Sequence, residues 1–330
     1  MKLLSKVLHK AKNLGHKLLI DKNLWYKRQF PYCKKFWNRF PFNLQVVNLG
    51  SNTGLFGFRY DGLPIKAANW ALSPQSFNQD LAILKTYYSY IGPRGTILVP
   101  LGPYSSCLKN YTDTEWMKYF TILHPGVTPN FTIEKQQHAY QLKNHPFKYA
   151  RKQMIKGLIL TMKQSLLGYK EPLSYTTCSL SKTQIEANAQ SFIDGWMKQF
   201  QISDMDAPRP AHINEGRKER VKTLKEMWQF CQERDLRMYV VLPPVTKQLS
   251  DKFSQTFREN YIYSFLREAD IPSDRFLNYL DDKDLQKEEN FYNSLFLNKR
   301  GGELFTKKVL AQLHLISIES KGQGHRDRSR

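Results

Sequence analysis

The chain has 330 residues, 41% of them hydrophobic, enough to bury a full core in one enlarged domain. Its formal charge of +21 is uneven: residues 1–40 carry eleven Lys/Arg and one acid, Asp21, a net of +10, which leaves +11 for the other 290. No apolar run is long enough to span a bilayer or to form a signal peptide. The four scattered cysteines, Cys33, Cys107, Cys178 and Cys231, exclude a Cys-x-x-Cys metal site and fit a reducing, cytoplasmic compartment better than a disulfide framework.

In chain order, residues 1–20 are expected to form a basic amphipathic helix. Leu3, Leu4, Val7, Leu8, Ala11, Leu14 and Leu18 recur at helical spacing among lysines. Such a helix suits an anionic membrane surface, which places the protein peripherally at the inner membrane face; packing along the domain is the competing expectation. Aromatics and basic residues then alternate, with Trp25, Tyr26, Phe30, Tyr32, Phe36 and Trp37 among Lys27, Arg28, Lys34, Lys35 and Arg39. They suit lipid headgroups as well as bases, and without a recognisable nucleic-acid module nucleic acid is not the expected partner.

Leu44-Gln45-Val46-Val47 predicts a buried strand that breaks at Asn48-Leu49-Gly50-Ser51-Asn52-Thr53-Gly54. This is a plain Gly-rich turn or the crevice end of a parallel strand, and it lacks the lysine of a phosphate-binding loop. A second short strand ends in residues 69–76, and a helix follows over 78–88. Residues 95–101 predict a third strand, which opens into Gly102-Pro103-Tyr104-Ser105-Ser106.

An aromatic-rich insertion is expected over about 104–210. It holds an amphipathic helix from roughly 147 to 167 and is expected to cap the sheet edge as a lid or substrate wall. A helix over 217–234 leads to a fourth strand at Arg237-Met238-Tyr239-Val240-Val241-Leu242-Pro243-Pro244. Strands alternating with helices predict an α/β fold, three-layer α/β/α with a mainly parallel sheet. The domain is expected over 41–315, between the basic segment and a disordered polar tail at 316–330. Asp281-Asp282-Lys283-Asp284 lacks the glycine of a calcium loop, so neither a metal nor a cofactor is expected.

Leu49-Gly50-Ser51, Asn69-x-Ala71-Leu72-x-x-Gln75 with Asp80-Leu81-x-Ile83-Leu84, Val241-Leu242-Pro243-Pro244 and residues 291–301 together resemble the SGNH/GDSL hydrolase family. The likeness is to a bacterial branch found with cell-surface polysaccharide synthesis, and it covers roughly residues 44 to 312. It implies Ser51 as nucleophile and an Asp-x-x-His pair near the C-terminus, whose positions here hold Asn293 and Phe296. Phenylalanine accepts no proton, so the resemblance leaves the base open. Of the eight histidines, His212 is the candidate substitute, because its loop precedes the helix of the fourth strand and can cross the sheet edge. Asn52, Ser73 and Ser105 are the candidate oxyanion donors.

The resemblance implies an esterase or acyl transferase acting on an acylated glycan or polysaccharide precursor. The replaced pair implies the alternative, a non-catalytic glycan-binding or scaffolding protein at the membrane surface.

Overall fold

A computed structural model describes residues 19–107, 117–167 and 180–317. The expected helix of residues 1–20 lies outside the described residues except for its last two, as do Trp116, Cys178 and most of the polar tail. The chain adopts the three-layer α/β/α arrangement with a five-stranded, all-parallel sheet in the order β2-β1-β3-β4-β5. The strands are β1 (Leu44–Asn48), β2 (Ala67–Asn69), β3 (Ile91–Pro100), β4 (Arg237–Leu242) and β5 (Phe276–Asn278). The first four match the expected strands, and β5, only three residues long, was not anticipated.

Strand periodicity divides the core. Val47, Ile97, Val99, Val240 and Leu242 point to one side, where they meet Leu81, Ile83 and Leu84 of one helix and Leu224 and Met227 of another. Val46, Leu98, Val241 and Leu277 point to the other side, against Phe305, Val309 and Leu310 of the C-terminal helix. We number the principal helices α1 (Leu24–Gln29), α2 (Lys34–Trp37), α3 (Asn52–Gly57), α4 (Phe77–Tyr87), α5 (Ile133–Asn144), α6 (Arg151–Leu166), α7 (Lys182–Phe200), α8 (Ala211–Gln232) and α9 (Lys299–Gln312).

The chain leaves β1 towards β2 on one side and later returns to β3 on the other. The connections therefore diverge between β1 and β3 and open a crevice at the carboxyl ends of these strands.

The described part of the basic segment is built into the core. Leu24, Tyr26, Phe30, Cys33 and Phe36 are buried, so these aromatics face protein. Asn23, fully buried, caps α1 by accepting from Tyr26 N at 3.1 Å and donates to Met154 O of α6 at 2.7 Å. Gly157 lets the two helices touch, since a Cβ there would stand 2.2 Å from Asn23 Oδ1. Helix α6, the expected 147–167 helix, packs on α1 and contributes nothing to the crevice wall, whereas Tyr104, Ser105 and Trp196 of the same expected insertion do line it. The α6 glycine and the Asn23 amide fit each other at this seam, and Thr161 adds a hydrogen bond from Leu24 N at 3.1 Å.

Candidate functional site

The turn after β1 is the floor of the crevice. Gly50 has φ +102°, and a Cβ there would press on the Pro100 ring at 3.1 Å, so only glycine passes. The turn delivers Ser51 to the start of α3, where its carbonyl accepts from Leu55 N at 2.8 Å and its hydroxyl makes no capping bond. Two amides brace α3 from below. Asn48 Nδ2 donates to Leu49 O, Gly54 O and Asn69 Oδ1, while Asn69 Nδ2 donates to the carbonyls of Gly54, Leu55 and Phe58. These bonds satisfy carbonyls that so short a helix leaves open.

Asp80, in the first turn of α4, joins the two turns that flank the crevice. Its Oδ1 accepts from Gly50 N at 2.7 Å and from Gln75 Nε2 at 2.5 Å. Burial pushes this carboxyl up to about 7, against the opposing pull of the Gln75 and Gly50 hydrogen bonds. Gln75 also accepts from Leu72 N through Oε1 at 2.8 Å, and its own N–H donates to Ser51 Oγ at 3.3 Å. Two lysines hold the far side of this loop. Lys35 Nζ donates to Ala71 O, and buried Lys118 donates to Ser73 O at 2.5 Å and Pro74 O at 3.0 Å. With its carbonyls turned towards these lysines, the loop presents the Gln75 N–H to Ser51. Burial lowers Lys35 to about 7.

Above this floor lies a cavity of about 220 Å³. Gly50, Ser51, Asn52, Thr53 and Asp80 line its base. Pro100, Gly102, Tyr104 and Ser105 form one wall, and Trp196 of α7, Arg220 of α8, Leu295 and Phe296 close it. Ser105 Oγ accepts from Gly102 N at 2.7 Å, which fixes the turn after β3. The Phe296 ring packs at 5.7 Å from Phe56 and 6.4 Å from Phe192. Its loop is anchored to α7, because Ser294 Oγ donates to Ile185 O at 2.7 Å and Ser294 N donates to Asn188 Oδ1 at 3.0 Å.

The structure brings together Ser51, Asn52, Ser105 and Phe296 of the expected site residues, and sets the other three apart. Ser73 lies behind the floor, with its carbonyl on Lys118. Asn293 uses Oδ1 to accept from Leu295 N and Phe296 N, at 3.0 and 2.8 Å, so its side chain shapes its own loop. His212 is exposed at the start of α8, its Nε2 2.8 Å from Phe200 O, and it does not line the cavity. Among the described residues, no histidine lines this cavity and no histidine hydrogen-bonds Ser51 Oγ. None of their His, Cys, Asp and Glu side chains form a group able to hold a metal ion.

Sequence reasoning missed Asp80 as the hub of the floor, together with Trp196 and Arg220. Asp80 stands with Gln75 in the pattern that carries the resemblance but was given no role there, and the other two arrive from distant helices. No protein-family model matches the chain, and no curated protein matches it.

Proposed function

We propose that this protein binds an acylated glycan precursor in the cavity between β1 and β3, in a fold that resembles the SGNH/GDSL hydrolases, without the serine–histidine hydrolysis typical of that family. One observation carries the reading: the hydrogen-bond partner of Ser51 Oγ is the Gln75 N–H, in a cavity without a histidine among the described residues. A serine hydroxyl is a poor nucleophile until a base takes its proton, and such a base supplies about 10²–10⁴-fold in rate.

The lining suits a ligand with both apolar and polar parts. Tyr104, Trp196 and Phe296 offer ring faces, while Ser51, Asn52 and Thr53 offer polar groups. The volume is below the ~300–1,000 Å³ of drug-sized ligand pockets, which favours one sugar ring or an acyl group over a longer chain. Arg220 adds a preference for an anionic substituent. Its Nε and Nη2 both donate to Ser106 O, at 3.0 and 2.7 Å, and among the described residues no carboxylate pairs with it. Nearby Arg217, by contrast, is paired with Glu268 at 2.7 Å. Glu219 acts on Arg220 at longer range without a salt bridge, and a buried guanidinium so weakly compensated favours a ligand that brings a negative charge.

A second reading, esterase or acyl transfer, draws on Ser51 and Asp80 lining the same cavity, since a carboxyl that titrates at about 7 is in a range suited to proton transfer. Hydrolysis of p-nitrophenyl acetate and of an acetylated oligosaccharide separates the two, with Ser51→Ala measured beside the parent. The binding reading expects equal rates for both proteins, together with tryptophan fluorescence that responds to the oligosaccharide and loses that response in Trp196→Phe. Hydrolysis abolished by Ser51→Ala would overturn it in favour of the enzyme. In either case, work on such a precursor fits a cytoplasmic protein held at the inner membrane face.

A further inference from the structure

Helix α6 is buried on one side only. Met154 and Gly157 meet α1, while Ile155, Ile159, Met162 and Leu166 form a row at i, i+4, i+7 and i+11 on the opposite side. Met162 is 63% exposed and Leu166 83%, so the row is no edge of the core. Lys152 continues it at one end, and Lys156 and Lys163 run alongside, all three in solvent. From Lys135 to Leu167 there are seven Lys/Arg and no Asp or Glu. Helix α1, packed against α6, adds Lys27 and Arg28.

We propose that this face docks on an anionic bilayer surface, with α6 lying in the plane of the interface. Aliphatic side chains between lysines match an acyl layer beneath acidic headgroups, because the lysine stems lie along apolar surface while their ammonium groups reach the phosphates. Single-stranded nucleic acid draws on aromatic rings for base stacking; the row has none, and the exposed rings of the same stretch, Tyr140 and Tyr149, precede α6 in the chain. The buried centres of protein interfaces are depleted in lysine, and a second copy would bring the same positive charge. The helix has 16 residues, a length of about 24 Å at 1.5 Å per residue. Among the described residues no helix is long and apolar enough to cross a membrane. Charge complementarity and an aliphatic row therefore define the partner as an acidic lipid surface, independently of what the Ser51 cavity holds.

Co-sedimentation of the full chain with vesicles tests this, using phosphatidylcholine alone and phosphatidylcholine mixed with phosphatidylglycerol. The parent protein is expected to partition onto the mixed vesicles. Ile159→Glu combined with Met162→Glu is expected to lower that partition on the order of a hundredfold, since burying each side chain contributes roughly a factor of ten. Lys152→Gln, Lys156→Gln and Lys163→Gln together are expected to lower it to a similar degree on mixed vesicles only, at about fivefold per lysine. All five positions are solvated, so unchanged circular dichroism should accompany both variants.

Parent-level partition in both variants would overturn the proposal and assign lipid binding to another part of the chain. A dimer that the glutamate pair dissolves, with no partition by the parent, would overturn it in favour of a second copy. RNA binding lost in the lysine variant, again with no partition by the parent, would overturn it in favour of nucleic acid.

Discussion

Around Ser51, the amides of Asn48, Asn69 and Gln75 and the carboxyl of Asp80 are turned onto neighbouring backbone, so that two loops and a short helix form one hydrogen-bonded block. Helix α6 is attached to the molecule along one side only, through Met154, Gly157 and Thr161, and turns its aliphatic row outward. The first region gains definition from polar groups that have no freedom to rearrange. The second gains none from its outer side, so that side is free to serve a partner. Substitutions should therefore be costly in one region and nearly neutral in the other.

The largest effect is expected from Gly54→Ala. The new Cβ would stand 2.3 Å from Leu49 O and 3.1 Å from the Pro100 ring, and neither backbone nor proline yields easily. A loss of more than about 3 kcal/mol is expected, read as a lower urea midpoint. A parent-like midpoint would show that the block around Ser51 is loose.

Asp80→Asn comes next and sharpens the comparison through pH. Asp80 is raised to about 7 in the folded protein, above its ordinary value of 3.8. The protonated acid therefore contributes stability that is fully present below about pH 4 and is lost as the pH rises through about 7. Across that window the parent should lose stability relative to Asp80→Asn at up to about 1.4 kcal/mol per pH unit. Thermal melts at matched pH values check the sign, and a difference that stayed flat would show that Asp80 does not titrate there. The smallest effect is expected from Leu166→Ser on the outer side of α6, within about 0.5 kcal/mol of the parent. A larger loss in the same urea titration would mean that the row packs against protein.

The same contrast explains what was legible before the structure. Val46, Val47 and the Ile97-Leu98-Val99 run mark their strands by β-branched content, and Gly50 marks the turn by the conformation it permits. The parallel sheet and the position of Ser51 beyond β1 follow from such local signals. Strand β5 carried none, because three residues, Phe276–Asn278, are too few for a period and depend on pairing with β4. The cavity walls were hidden for another reason. Trp196 and Arg220 are ordinary members of long helices until the fold brings them to the sheet edge. His212 had a suitable address in the chain, but Phe200 O holds its ring away from the crevice. The amphipathic pattern of α6 was correctly seen as helical, yet periodicity cannot say which of two faces is covered, or by what.

The bonds that fix these regions also differ in how much chain they enclose. Ser51 and Gln75 are 24 residues apart and Gly50 and Asp80 are 30 apart, whereas Asn23 and Met154 are separated by 131 and Leu24 and Thr161 by 137. Closing a loop about five times longer costs about 1.4 kcal/mol more in chain entropy. The crevice floor is thus knitted from nearby sequence, while the seat of α6 joins distant parts of the polypeptide. Residues 20–29 act as a clasp across the middle of the chain, and an insertion between β3 and β4 is held in place by a segment that precedes the whole sheet.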